Sequence, residues 1–371
     1  MALEPVTLDE VPASAGVALI ATGPTDTYRR PVPRLLDAEI VDPGDLAHLR
    51  RVFAAAEQAV PGMRLYEISD AVTLRAGEVV VDGRYLLVES ILHSRPNNSG
   101  AERLIHEVLA AAEKQLTKRR DEERDRALLL NQWSHRNYGH FLVEILPKFG
   151  FAIERADLGE ADLLVNRGIT GAIEAVYREC LGREGYTRGL IPVLTQMRVQ
   201  RLLFATTTGA HGINKYAPAI HHVRSLFLSD EEKAHAPRSG RRLWVLRKDD
   251  YKRRLTNQAE LVEIARCFGF EVIVPETMSV ADQAAIFAEA SACVGPIGAG
   301  LSNILFCRPG TSVTTLCPNF GRETFFYDVA SIIGARYTYL FGPATDPKLR
   351  FNSNFSVSPA RLRSALEELD G

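Results

Sequence analysis

Beyond residue 240 the chain alternates short apolar runs with amphipathic stretches, and that alternation leaves few folds open to it. The runs "LWVLR" (243–247), "EVIVP" (271–275), "ACVGP" (292–296), "TSVTTLCP" (311–318) and "YTYLFG" (337–342) read as strands. Between them, "NQAELVEIARCFGF" (257–270) and "SVADQAAIFAEAS" (279–291) read as helices. Asn257 is expected to cap the first, with Glu260 three residues on, and Ser279 with Asp282 resembles a capping box at the second. Strands alternating with helices make βαβ units and a parallel sheet. Such a sheet binds ligands beyond the carboxyl ends of its strands. "SPARLRSALEEL" (358–369) reads as an amphipathic closing helix.

The first hundred residues are β-rich, with a hairpin signal at Asp82-Gly83 between two apolar runs in 71–90. Residues 102–126 are highly charged and read as a solvated helix or connection. "ALLLNQ" (127–132), "DLLVN" (162–166) and "MRVQRLLFAT" (197–206) read as strands, and "GAIEAVYREC" (171–180) as a helix. "YGHFLVEILPKFGFAIE" (138–154) looks helical, with an end or kink expected near Pro147. The polar stretch 229–242, with Pro and Gly, reads as a linker. The expected organisation is a β-rich N-terminal segment (1–120), an N-terminal α/β domain (121–235), a C-terminal Rossmann-like domain (236–345) and a closing helix (346–371).

Composition narrows the function. Hydrophobic residues at 46% and charged residues at 24% suit a large soluble core. A net charge of −2 argues against general nucleic-acid binding, which wants a basic balance. No apolar run approaches the length of a membrane span. The acidic N-terminus lacks the basic region of a signal peptide, and the five cysteines form no CxxC. Free buried thiols in a reducing compartment, the cytoplasm, are the expectation.

Three stretches carry chemistry. In "WSHRNYGHFLVEILPKF" (133–149), His140 and Glu144 lie four apart on one helix face, with Asn137 one turn earlier. A carboxylate beside an imidazole suits general-base work. The same spacing also suits an Asn cap followed by a solvent-facing pair, and a metal would lack an obvious third ligand. "RKDDYKRRLTN" (247–257) places Arg247, Lys248, Arg253 and Arg254 where a strand ends and a helix begins. Arginine forks and helix N–H groups make a diphosphate site, although a basic solvated loop has the same composition. "GPIGAGLSN" (295–303) has Gly298 and Gly300 before a helix, which lets a backbone approach a ligand closely. Its spacing does not match a dinucleotide fingerprint. The sequence contains no Asp-x-Asp between apolar flanks, no P-loop and no Gly-x-Ser-x-Gly.

Together these stretches resemble glycosyltransferase family 61, the group that includes capsular polysaccharide biosynthesis proteins. "NYGHFLVEILPKF" resembles the family's Asn-x-x-His-x-x-x-Glu-x-x-Pro block, "LRKDDYKRRLTNQAELVEI" its arginine block, and "PETMSVADQAAIFAEASACVGPIGAGLSNILFCRPGTSV" its glycine block. The resemblance spans about 130–318. The sequence departs from it at Ile297, where the family has His, at Thr315, which corresponds best to an acidic residue expected to hold a ribose, and at Gln258, where the family tends to have Glu.

The resemblance implies an α/β protein of GT-B type, two Rossmann-like domains facing a cleft, here with a β-rich N-terminal segment. It implies an inverting, metal-independent transferase with no cofactor and a nucleotide sugar as co-substrate. Arg247, Arg254 and Asn257 would lie near the donor phosphates, and Gly298, Gly300 and Asn303 would line the glycine loop. Asn137, His140 and Glu144 would face a glycan or small-molecule hydroxyl acceptor. Ile297 and Thr315 motivate a second reading, a degenerate non-catalytic nucleotide- or glycan-binding relative acting as a partner subunit. An epimerase or hydrolase on the same scaffold is a third, because fold does not fix chemistry. The β-rich segment also offers strands for pairing between chains in a homo-oligomer.

Overall fold

The computed structural model describes residues 2–91, 101–118, 122–132, 135–169, 171–186, 188–209, 214–234, 240–247 and 252–369. Lys248 lies outside them. The fold is mixed α/β and divides into two units. Unit 1 comprises Met1–Asp26 and Val60–Leu226, and unit 2 comprises Thr27–Ala59 and Phe227–Gly371. The β-rich N-terminal segment is thus shared between the units, and residues 27–59 go to the C-terminal one.

Unit 2 is built on a six-stranded sheet, all parallel, in the order Phe270–Ile273, Arg241–Val245, Ala290–Pro296, Ser312–Pro318, Arg336–Gly342, Arg34–Leu36. Five of them are the apolar runs of the alternating region, shifted by a residue or two. Their chain order across the sheet is second, first, third, fourth, fifth, so the winding reverses between Arg241–Val245 and Ala290–Pro296. Buried Trp244, Leu316 and Leu340 on the strands pack with Leu261 and Ala265 of the helix Gln258–Cys267 and with Leu362 and Leu366 of the closing helix Pro359–Glu367. Removing each such side chain from water contributes roughly 1.5–3 kcal/mol. The capping pair behaves as the sequence suggests, with Ser279 Oγ accepting from Asp282 N at 3.1 Å.

The sixth strand comes from early in the chain. Its segment is pinned by a buried ion pair, Arg30 with Asp328, at 2.6 Å. Asp328 also accepts from the Tyr28 hydroxyl at 2.9 Å, and the Arg30 guanidinium lies 6.0 Å from the Tyr327 ring centroid.

Unit 1 is built on a nine-stranded mixed sheet. Arg124–Leu129 runs parallel to Asp162–Asn166 on one side and to Gln196–Ala205 on the other. Gln196–Ala205 then pairs antiparallel with the long strand Arg64–Leu74, which leads into the hairpin Val79–Val81/Tyr85–Leu87. Asp82 and Gly83 take positive φ at that turn (51° and 62°), as the Asp-Gly signal requires. The charged stretch opens with the helix Ala101–Leu116, whose Leu104 and Ala112 are buried on a hydrophobic cluster, so it is amphipathic rather than fully solvated.

The 138–155 segment is helical but not uniformly α. Tyr138–His140 is α, Phe141–Ile145 is a π turn, and Leu146–Arg155 is α again. Pro147 sits at the join, where a residue without N–H is least costly. Four cysteines are buried, Cys267 is exposed and all five are thiols outside any disulfide. Among the described residues no helix is long and apolar enough to cross a membrane.

Candidate functional site

Unit 1 brings its candidate residues together around the π turn, a distortion that often marks functional helices. Asn137 Oδ1 accepts from the backbone N–H of Gly139 (2.9 Å) and of His140 (3.4 Å), which starts the helix. His140 Nδ1 lies 2.9 Å from Glu144 Oε2. The Glu144 side chain is nearly inaccessible at 5%, whereas that of His140 keeps 15% exposure. The His140–Glu144 pair is therefore not a solvent-facing one: its carboxylate is in the interior and its imidazole reaches the surface.

Three polar residues not singled out from the sequence hold that carboxylate. Lys215 Nζ is 3.4 Å from Glu144 Oε1. Gln132 Nε2 donates to Glu144 Oε2 at 3.4 Å, and Lys148 Nζ donates to Gln132 Oε1 at 2.7 Å. Gln132 N donates to Asn166 Oδ1 at 2.9 Å. Gln132, Lys148 and Lys215 are each 2% exposed or less. Burial pulls the Lys148 amine down to about 7, against an upward pull from Glu144. The sequence held one usable signal: a lysine in "ILPKFGF", where every neighbour is apolar. Gln132 follows a strand and Lys215 follows a loop, and neither pattern marks a site.

Unit 2 assembles its candidates at the point where the winding reverses, between the carboxyl ends of Arg241–Val245 and Ala290–Pro296. That crevice is the usual ligand position in an open parallel sheet. The Arg247 guanidinium spans it, donating Nη1 to the Ile297 carbonyl at 2.5 Å. A Cβ on Gly298 would stand 3.1 Å from Arg247 Cδ, so glycine there makes room for the arginine. A Cβ on Gly295 would come within 2.8 Å of the Val245 carbonyl oxygen, so this glycine permits the strands to close. Gln258, the first residue of its helix, donates Nε2 to the Arg247 carbonyl at 3.2 Å.

Several residues expected near a donor make contacts within the fold. Asn257 does not cap its helix with its side chain. It clasps Val357, with Nδ2 donating to that carbonyl (2.8 Å) and Oδ1 accepting from its N–H (3.2 Å). Asn303 is fully buried and donates to Gln283 Oε1 and the Gly300 carbonyl, so it braces the loop from within. A Cβ on Gly300 would stand 3.4 Å from Pro275 Cγ and 3.7 Å from Val245 Cγ1. The Ile297 side chain is 2% exposed and belongs to the interior, while its peptide carbonyl holds Arg247. Thr315 is fully buried in mid-strand, accepting from the Tyr337 hydroxyl at 2.7 Å, away from the strand end where a ribose would be held. Arg254 has an exposed side chain, and its backbone pairs with Asn354 and Phe355.

Among the described residues no group of three or more His, Cys, Asp or Glu side chains is placed to hold a metal ion.

No curated protein matches the chain. Residues 138–314 match the family model described as Glycosyltransferase 61. The matched segment starts at the helix that carries His140 and Glu144, includes Arg247 and ends beyond the glycine loop in the strand Ser312–Pro318. A sugar donor and an acceptor are the substrates that this family implies. Residues 138–314 thus carry a glycosyltransferase 61 family domain, which supports a glycosyltransferase.

Proposed function

We propose that the protein is an inverting transferase that moves a sugar from a nucleotide sugar to the hydroxyl of a glycan or small molecule. Unit 1 would carry the acceptor side and unit 2 the donor side, the assignment that a GT-B arrangement makes. The observation that carries the reading is the His140–Glu144 pair: a partly exposed imidazole backed by a buried carboxylate at 2.9 Å. Such an imidazole takes the proton of an acceptor hydroxyl as that oxygen attacks the anomeric carbon. The bond from that carbon to the donor diphosphate breaks on the opposite face, which inverts the configuration. Arg247 at the switch point and the N-terminal N–H groups of the helix Gln258–Cys267 supply positive charge for the departing diphosphate, so the step runs without a metal or cofactor. Buried thiols fit the cytoplasm as the compartment.

Calorimetric titration with UDP-, GDP-, CMP- and TDP-linked sugars tests this reading, followed by transfer assays in EDTA. Binding of one donor, and turnover lost in both His140→Ala and Glu144→Ala, is the expected result. Folded protein that binds none of the donors sinks it.

The alternative, a non-catalytic nucleotide- or glycan-binding relative acting as a partner subunit, is favoured by one observation. Arg247 is engaged by the carbonyl of Ile297, at the place where the family has histidine. Donor binding with no turnover, gained only in Ile297→His, selects this alternative.

A further inference from the structure

The π turn is clamped from one connection. After the strand Gln196–Ala205 the chain sends Thr208 Oγ1 to the Val143 carbonyl (2.9 Å) and Lys215 Nζ to Glu144 Oε1 (3.4 Å). The other Glu144 oxygen takes His140 Nδ1 and Gln132 Nε2. The Lys148 amine donates to the oxygen of the Gln132 amide, which turns the NH₂ of that amide toward Glu144. A carboxylate that receives only donors is held in its ionised form. An ionised carboxylate can face His140 Nδ1 only if that nitrogen carries the proton.

We infer that Lys215 is a positioning residue: its ammonium keeps Glu144 ionised, and Glu144 keeps the neutral His140 protonated on Nδ1, leaving Nε2 as the atom that accepts the hydroxyl proton. The inference rests on the transferase reading for its role in catalysis, but its structural content does not need a substrate. Among the described residues, His140, Lys148 and Lys215 are charged or titratable groups placed around Glu144. Lys148 acts through Gln132, whereas Lys215 meets the carboxylate directly. Without Lys215 the buried carboxyl takes up a proton and donates it to Nδ1, and the imidazole proton moves to Nε2.

The test is long-range ¹H–¹⁵N spectroscopy of the full chain labelled at histidine, with His140 assigned through His140→Ala, at a pH where the ring is neutral. The wild type is expected to carry the proton on Nδ1, and Glu144→Gln is the control that perturbs it. Lys215→Met is expected to reverse the tautomer ratio, and Lys215→Arg to restore it. Lys215→Gln, which keeps a donor without the charge, supplies the same readout should the methionine variant not fold. If a donor and acceptor are turned over, Lys215→Gln lowers kcat about tenfold or more with KM little changed, a split expected when a base is misoriented. A wild-type tautomer in Lys215→Met and Lys215→Gln overturns the inference whatever the activity. An absence of turnover with the tautomer shift intact overturns the transferase reading alone.

Discussion

Thr208 supplies a donor that Pro147 cannot. In an α register the Val143 carbonyl would accept from residue 147, which has no N–H, and Thr208 Oγ1 donates to it at 2.9 Å instead. Thr208→Val leaves a buried carbonyl without that partner and is expected to cost about 1–3 kcal/mol in urea unfolding. Restoring an N–H with Pro147→Ala in the same chain should recover part of the loss. A double-mutant cycle that comes out additive would mean the two residues do not share the carbonyl.

Lys148 makes stability pH-dependent in a definite direction. Its amine titrates near 7 in the folded chain and near its ordinary 10.5 when unfolded. Between those values the unfolded chain binds the extra proton, so folding stability rises as pH rises from about 7 to 10.5 and loses that contribution as pH falls to 7. The slope contributed is at most about 1.4 kcal/mol per pH unit. Lys148→Met should flatten this limb in denaturant melts taken from pH 6 to 10, and an unchanged slope would exclude Lys148 as its source.

The two glycines of the switch point should respond differently. At Gly298 an added Cβ meets only the flexible Arg247 side chain at 3.1 Å, so Gly298→Ala is expected to shift stability by about 0.5 kcal/mol or less while displacing the guanidinium. At Gly295 the contact is a backbone oxygen at 2.8 Å, and Gly295→Ala should cost about 1–3 kcal/mol. Arg247→Ala should weaken nucleotide-diphosphate binding about tenfold, the loss of one charge-assisted contact. Thermal melts read the first two effects and calorimetry the third.

The Arg30–Asp328 pair is buried on both sides, at 3% and 1% exposure. Arg30→Met strands the Asp328 charge in the interior and should destabilise unit 2 by about 3–5 kcal/mol. Adding Asp328→Asn removes that stranded charge, so the double variant is expected to be more stable than Arg30→Met alone in guanidinium unfolding.

Legibility followed the range over which each signal acts. The five strands of 241–342 and their helices showed in the sequence because apolar periodicity is local. The sixth, Arg34–Leu36, is too short and too flanked by polar residues to register, and only its partner Thr338–Leu340 makes it a strand. His140 and Glu144 were readable from their spacing, but the interior setting of the pair was not, because Gln132 reaches it from beyond a strand end and Lys215 from just before the helix Ala217–Ser225. Asn257 and Asn303 show the opposite limit. An asparagine beside a glycine loop suits a ligand and a buried backbone group equally, and only their partners Val357 and Gln283 separate the two roles.

The strand Arg34–Leu36 also sets an order of events. Its partner follows some 300 residues later, the same separation that divides Tyr28 from Asp328. During synthesis Arg34–Leu36 must wait for its sheet partner until Thr338–Leu340 has been made. A fragment beginning at residue 227 would lack this edge and present the row of Arg336–Gly342 to solvent. The C-terminal unit is thus finished by a piece of the chain made long before its partner, and its sheet can close only once Arg336–Gly342 has been made.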